Sequence, residues 1–429
     1  MKPKSTNRTE GYLFDPRLSS LLNPKHEIIL FGELINWESL EKDLSIYFSE
    51  RDGAPAKPVR LIAGLLLLQH VYKLSDEKVV SGWVENPYWQ FFCGFDYLQW
   101  SFPIDPSSLS KWRRRLGEKG LERIFSSTVF CALDIGLVTS KSFESVIADT
   151  TVMPKNISYP SDSRLYFDGI IKLVSYAKKF NVPLRQTYKF LAKKALRNAG
   201  RYAHSRKMKM ADRERRRLKT YLGRVRRELE RELLNRPEIL ILIKPSLEII
   251  DRVLTQERDS KNKIYSLHEA SVECIAKGKS HKKYEFGCKT SLVLTHKECF
   301  ALDVKAFHKN PYDGHTLNEV LTNSEKMTGI PIERVFVDKG YRGHEAGEKR
   351  KVFLSGMRGL SMHFKRLLRR RSAIEPCIGH MKSDGKMDRN YLKGALGDYL
   401  NAILCGIGHN ARMILRFLSN NLDLGAVFS

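Results

Sequence analysis

The spacing of apolar and polar positions changes three times along the chain. From about 25 to 135, short apolar stretches alternate with helix punctuation. Pro58 precedes the apolar stretch around "LIAGLLLL", Ser75-Asp76-Glu77 reads as a cap with an acidic first turn, and Asp105-Pro106-Ser107-Ser108 opens "LSKWRRRLGEKGLERIF". These signals predict several short helices. From about 140 the pattern becomes strand-like. "SVIADTTV" (145–152) is a β-branched run interrupted by one acid, and "RVFVDKGY" (334–341) repeats that design. Between them "YEFGCKTSLVLT" (284–295) and "CFALDVKAF" (299–307) read as a hairpin joined by His296 to Glu298. "HTLNEVLTNSEKMTG" then reads as a helix with Thr316 and Glu319 as a capping box and Gly329 with Pro331 as its end.

The resulting order is strand, strand, strand, helix, strand and, after "KRKVFLSG", a final helical stretch. That is the order of an α+β, ribonuclease-H-like mixed sheet. One long interruption separates its first two strands: residues 163–260 lack strand signals and run through "FLAKKALRNAGRYAHSRKMKMADRERRRLKTYLGRVRRELERELL" with helix-favouring composition. The expected organisation is a helical N-terminal region over 1–140, the first part of the core over 141–162, an all-helical insertion over 163–260, and the rest of the core with C-terminal helices over 261–429.

Charge narrows the class of partner. The 429 residues carry 74 Lys and Arg against 48 Asp and Glu, a net +26. Such an excess calls for a polyanion, with nucleic acid the default and an anionic membrane surface the alternative. Lys111, Arg113, Arg114 and Arg115 crowd the start of the helix after Pro106, so a helix pair with a basic second member resembles a helix-turn-helix; a solvated basic face reads the same way. The insertion is either a DNA-gripping or dimerising arm or a solvated helical hairpin. Seven scattered cysteines without a CxxC pair indicate neither a disulfide framework nor structural zinc, and fit a reducing cytosol. The N-terminal "MKPKSTNRTEGYLFDP" has no secretory h-region, and the apolar run Leu61 to Leu68 is far short of the roughly 20 residues of a membrane span. A soluble intracellular protein is expected.

Three acids carry the candidate chemistry. Asp149 interrupts an apolar strand, where an ionised carboxylate is costly unless it lies at the strand's end or binds a cation. Asp338 follows Val335-Phe336-Val337 where a strand should end. In this strand order the two strands are adjacent, so the carboxylates meet at strand tips, repel, and are best accounted for by a shared divalent metal. Glu375 supplies a third ligand. At about 100° per residue, Arg371, Glu375 and Lys382 lie within about 40° on one helix face, a carboxylate flanked by two phosphate-binding cations. Locally, Ser372 and Glu375 also read as a capping box. Pro376 then forces either a helix start at Ser372 or a kink in a helix continuing from "FKRLLRRR". Lys339 and Arg342 beside Asp338 suit phosphate or an ordinary basic turn. Asp313 and His315 are accounted for by local turn and capping use.

Together, "IADTTV", "KNISYPSDS", "YEFGCK", "NPYDGHTL", "VDKGYRG" and "RRRSAIEPCIGHMK" resemble the DDE transposases of bacterial insertion sequences, in the subgroup typified by the fifth insertion-sequence family. The likeness extends to "NPYWQFFCGF", "DPSSLSKWRRRLGE" and "LKGALGDYLNAILCGIGHNARMIL". These enzymes carry a Tyr-Arg-Glu-Lys signature. Arg371, Glu375 and Lys382 match its spacing, whereas Leu368 stands where the tyrosine belongs. The resemblance implies that Asp149, Asp338 and Glu375 bind two Mg²⁺ ions, with Mn²⁺ able to substitute. Water would attack first to free a 3′-hydroxyl, which then attacks target DNA. It further implies duplex DNA as partner (terminal inverted repeats and target), with Arg371, Lys382, Lys339, Arg342, Lys111, Arg113, Arg114 and Arg115 as contacts. A homodimer on two DNA ends, a place at the nucleoid of the bacterial cytoplasm, and no membrane association complete the expectation. A metal-dependent nuclease without strand transfer and a catalytically inactive DNA-binding relic are the alternatives.

Overall fold

In the run "SVIADTTVMP", Val146–Ala148 and Thr151–Met153 are buried and the pair Asp149-Thr150 between them is half-open. Two buried triplets rich in β-branched residues suit a central strand covered on both faces. This is β1, Ser145–Pro154. The computed structural model describes residues 15–48, 56–257, 259–276, 283–347 and 349–421, so most of the N-terminal segment read above for a secretory signal lies outside the described residues. Among the described residues no helix is long and apolar enough to cross a membrane.

The chain divides into two compact units, Met1–Pro154 with Cys288–Ser429, and Lys155–Gly287. Five strands order the first: β1, β3 (Tyr284–Thr295, which starts in the second unit), β4 (Ala301–Phe307), β5 (Arg334–Val337) and β6 (Lys351–Leu354). β1 lies between β3 and β5, β6 flanks β5, and β4 pairs with β3. β5 runs parallel to β1 and to β6, while β4 is antiparallel to β3. The architecture is mixed α/β with a mixed sheet. "KRKVFLSG" contributes the short strand β6, too brief at four residues to show an alternation in sequence.

Helices of the N-terminal region share one core with this sheet. Leu65 and Leu66 of Val59–Val71, Trp83 of Asp76–Glu85 and Ile124 of Ser107–Asp134 belong to the same buried cluster as Val146, Ile147 and Val335. The helix Gly394–Asn420 is apolar around most of its circumference, as a helix packed on several sides must be. Its buried Asn410 spans both backbone polar groups of Ala301 at 2.9 and 3.0 Å, pinning the helix to β4. Ser75 caps its helix by accepting from the Lys78 amide at 3.2 Å, as expected.

Three local expectations change. The helix Asp313–Thr328 begins before the proposed capping box, and Thr316 Oγ1 donates to the Asp313 carbonyl at 2.8 Å instead of capping. Its end is as expected: Gly329, at φ 71°, donates to the Glu325 carbonyl. The basic helix Ser107–Asp134 is broken at Gly117, whose φ is 60°. A further helix, Pro87–Phe92, and the segment 93–106 separate it from Asp76–Glu85, so this pair lacks the tight turn of a helix-turn-helix.

The second unit holds the helices Asp162–Lys179, Lys189–His204, Met208–Glu232 and Pro237–Thr255, with a core of its own that includes Leu173, Leu218, Leu222 and Ile250. It is wider than 163–260. β2 (Glu273–Ala276) pairs antiparallel with the start of β3, and the buried Lys155 ammonium lies 3.6 Å from the Glu269 carboxylate.

Candidate active site

Register decides where the acids meet. Ser145, Val146 and Ile147 pair with Arg334, Val335 and Phe336, and continuing that parallel register two residues brings Asp149 level with Asp338. β5 ends at Val337, so Asp338 stands at a strand tip as expected. Asp149 does not: β1 runs on to Pro154, and Asp149 sits in mid-strand where pairing with β5 has ended. That position half-opens the side chain without breaking the strand.

Each carboxylate accepts from a backbone amide just beyond it in the chain. Asp149 Oδ1 accepts from the Thr150 amide at 2.8 Å, and Asp338 Oδ1 accepts from the Gly340 amide at 2.8 Å. A third aspartate joins them. Asp313, at the start of its helix, accepts from Thr150 Oγ1 at 2.9 Å and from Lys289 Nζ at 2.8 Å. A Cβ placed on Gly340 would lie 3.0 Å from Asp338 Oδ1 and 3.4 Å from Asp313 Oδ2, so the two carboxylates face the same small space. Local turn chemistry accounts for Asp313 in sequence; only the fold brings it to Asp149 and Asp338.

Glu375 reaches the cluster through Arg371. The helix Met362–Arg370 passes into a 3₁₀ turn, Arg371–Ala373, and then into the helix Ile374–Ser383. The chain therefore runs on from "FKRLLRRR" and does not start at Ser372. No capping box forms, because the amides at Glu375 already lie inside helical backbone; Ser372 Oγ donates back to the Arg369 carbonyl at 3.1 Å. The 3₁₀ turn falls at Ser372, four residues before Pro376, where the proline ring would crowd a regular helical carbonyl. Ile374 and Met381 are buried, and their helix packs against β1. Arg371 lies 3.6 Å from Asp149 Oδ2 and 3.9 Å from Glu375 Oε1, bridging the strand to the helix. The Glu375 side chain is 69% exposed, so it faces solvent more than the half-buried pair Asp149 and Asp338.

Electrostatics set Asp149 apart. Burial pushes its carboxyl up to about 6, with Asp338 and Asp313 adding to the rise and the Thr150 amide and Arg371 opposing it. Tyr341 is fully buried beside the cluster, and burial with the charges of Asp149, Asp313 and Asp338 holds its phenol well above the ordinary tyrosine range. Its hydroxyl is enclosed, with the Ser291 hydroxyl as its polar neighbour. A cluster of carboxylate oxygens is the donor chemistry of a hard divalent cation. Among the described residues, however, no three Asp, Glu, His or Cys side chains converge into a complete ligand set by themselves. Arg371 spans the gap between Asp149 and Glu375 and supplies positive charge there.

The other expected contacts divide. Lys339 and Arg342 are exposed beside Asp338, with the Lys339 stem lying along Gly356. Lys382 is half-buried, and its carbonyl accepts from Lys73 Nζ at 3.4 Å. Lys111, Arg114 and Arg115 are exposed on their helix, the Arg115 guanidinium 5.0 Å above the Trp112 ring. Arg113 is not a surface cation. It is buried, donating to Asp76 Oδ1 at 3.0 Å, to Asp76 Oδ2 at 2.5 Å and to Gln69 at 3.1 Å. The signal was present: Leu109, Arg113, Leu116 and Gly120 fall at helical spacing on the buried stripe.

Residues 16–115 match the family described as Transposase domain (DUF772). A relative from Rhizobium meliloti, described as uncharacterized protein ORF8 in the nfe locus, is 44% identical over 206 residues, which are 48% of this chain and 99% of the relative. No solved structure matches the chain.

Proposed function

We propose that the chain, whose residues 16–115 match a transposase domain, cuts DNA at the ends of its own mobile element and joins the freed 3′-hydroxyls to target DNA. The observation that carries this reading is the meeting of Asp149 and Asp338, level on adjacent parallel strands, with Arg371 linking Asp149 to Glu375. The order β4-β3-β1-β5-β6, with β1, β5 and β6 parallel, supports a ribonuclease-H-like core and membership of the DDE subgroup of insertion-sequence enzymes.

Asp149, Asp338 and Glu375 would hold Mg²⁺, as two ions, with Mn²⁺ as substitute. Bound there, the metal supplies Lewis-acid activation of the attacking oxygen and stabilisation of the leaving oxygen in an in-line displacement at phosphorus. The rest falls to the chain. Lys289 fixes Asp313, Asp313 fixes the Thr150 hydroxyl, and the Thr150 amide fixes the Asp149 carboxylate, so the least solvated acid is held in one orientation. Arg371 offsets the clustered negative charge and, with Lys382, offers cations to the scissile phosphate. Lys339, Arg342, Lys111, Arg114 and Arg115 hold the backbone of the DNA on either side. Two ends must be handled together, so two copies act on one DNA complex, in the bacterial cytoplasm at the nucleoid.

A strand-transfer assay tests this. Duplex carrying the element's terminal repeat, pre-cut to expose its 3′-hydroxyl, should become joined to plasmid DNA by the wild-type chain and not by Asp338→Asn. Cleavage of the terminal repeat without any joined product would assign the chain to the nucleases instead. Binding with neither cleavage nor joining would mark it as a relic.

A further inference from the structure

The second unit carries a charged surface that the acidic site does not use. Between residues 189 and 227 there are sixteen Lys or Arg and two Asp or Glu. Both acids are taken: Asp212 pairs with Arg215 at 3.0 Å, and Glu214, itself buried, with Arg217 at 2.9 Å. Lys209, Arg213, Arg216 and Arg224 are exposed on the same helix, Met208–Glu232, with no acidic partner among the described residues. With Arg217, Thr220, Tyr221 and the Arg215-paired Asp212 they line one open groove of about 620 Å³. Their spacing of three, four and eight residues keeps them on one face.

We propose that this face is a track for the phosphate backbone of duplex DNA, separate from the site of cleavage. From Lys209 to Arg224 the helix rises by about 22 Å, which faces roughly six phosphates of one strand at about 3.4 Å of axial rise each. The track is firmly seated. Ala211, Leu218, Leu222, Val225 and Leu229 turn the opposite face into the unit's interior. Tyr221 stacks on Tyr188 with ring centroids 4.8 Å apart, and Arg224 Nη1 donates to the Tyr188 hydroxyl at 3.3 Å, which holds the last guanidinium in place. The neighbouring helix Lys189–His204 adds exposed Lys193, Lys194, Arg197 and Arg201 and contains no acid. A membrane surface fits this face poorly. Interfacial helices immerse a continuous apolar side beside their cations. Here Ala211, Leu218, Leu222, Val225 and Leu229 pack inward, and on these two helices only Phe190, Leu191, Met208 and Met210, at the helix starts, are exposed large apolar side chains among the described residues.

The test needs no cleavage, so its failure and the failure of the transposase chemistry are distinguishable. Binding of the full chain to a labelled duplex of unrelated sequence, about 30 base pairs long, is followed by fluorescence anisotropy in chelator from about 50 to 200 mM salt, the range over which phosphate contacts are lost. The triple variant Arg213→Gln, Arg216→Gln, Arg224→Gln, checked for an unchanged melting temperature, should lower the slope of log affinity against log salt by about 2.7, as three lost phosphate contacts require. A control with the same charge change in the same unit, Lys178→Gln, Lys244→Gln, Lys261→Gln, should leave the slope within about 1 of wild type. The proposal is overturned if the first variant keeps the wild-type slope, or if the control falls as far, because bulk charge would then suffice. Loss of binding to phosphatidylserine vesicles with an unchanged DNA slope would overturn it too, and assign the face to a membrane.

Discussion

Asp149 occupies a position that is poor for folding and that the proposed chemistry accounts for. An apolar residue in mid-strand would remove the burial penalty that pushes this carboxyl up to about 6. The cost is tolerable because β5 has ended and Arg371 stands 3.6 Å away. Arg113 is the contrasting case, a cation whose place is structural. Burial works to raise the Asp76 carboxyl, and the Arg113 and Gln69 hydrogen bonds overcome it, holding it below the usual range. Arg113→Ala should therefore destabilise the chain by about 3 kcal/mol, leaving Asp76 unpaired, whereas Arg114→Ala should change stability by no more than about 0.5 kcal/mol; denaturant titration of the two variants checks this. Asp303 makes a pH-linked prediction. Burial pushes its carboxyl from 3.8 to about 7, against the pull of Lys305 and a hydrogen bond from Asn323. The folded chain thus keeps a proton that the unfolded chain releases above pH 4. Its contribution to stability is complete below that point and is lost as pH rises through 7. Asp303→Asn should be neutral at pH 4 and stabilise by up to about 4 kcal/mol at pH 8. A variant equally stable relative to wild type at both pH values would contradict this.

Elements, not residues, bring the acids together, and the turn after β5 is the tightest of them. A methyl group on Gly340 would lie 3.0 Å from Asp338 Oδ1 and 3.4 Å from Asp313 Oδ2, so these carboxylates would have to shift, and its backbone is outside the left-handed region, so alanine is conformationally acceptable there. Gly340→Ala should keep the melting temperature within about 3 °C, a shift of under 1 kcal/mol, while lowering DNA nicking at least tenfold through displaced carboxylates. Unchanged nicking would mean that Asp313 and Asp338 do not work as a pair. Much of this arrangement is legible in sequence. β1 and β5 announce themselves as β-branched runs broken by one acid, and Arg371 and Glu375 by their spacing of four. What local pattern cannot carry is whether a cap signal is used. Ser372 and Glu375 satisfy a capping pattern, yet the chain arrives already helical from Met362 and leaves no free amide to cap. Asp313 is hidden for the same reason: its turn accounts for it, and only the path of the chain from β4 to the helix Asp313–Thr328 sets it beside Thr150. The basic cluster at Lys111 to Arg115 misleads because charge marks a partner, not a face. Helical phase turns Arg113 inward while its neighbours stay outside.

At the scale of the whole molecule, a net charge of +26 is spread over two units. The first carries the sheet and the three acids; the second carries an unneutralised cationic helix face. Non-specific DNA affinity should accordingly fall steeply with salt, and it should do so whether or not the acids are intact. On the proposed function, the chemistry depends on the acids and on a divalent cation together. The most direct measurement is nicking of supercoiled plasmid bearing the element's ends, by wild type and by Glu375→Gln, with Mg²⁺, with Mn²⁺ and in excess chelator. Wild type should nick with either metal and not in chelator, and Glu375→Gln should bind the same plasmid without nicking it. Nicking that persists in chelator, or that survives Glu375→Gln undiminished, would contradict the assignment of Asp149, Asp338 and Glu375 as a metal-dependent cleavage site.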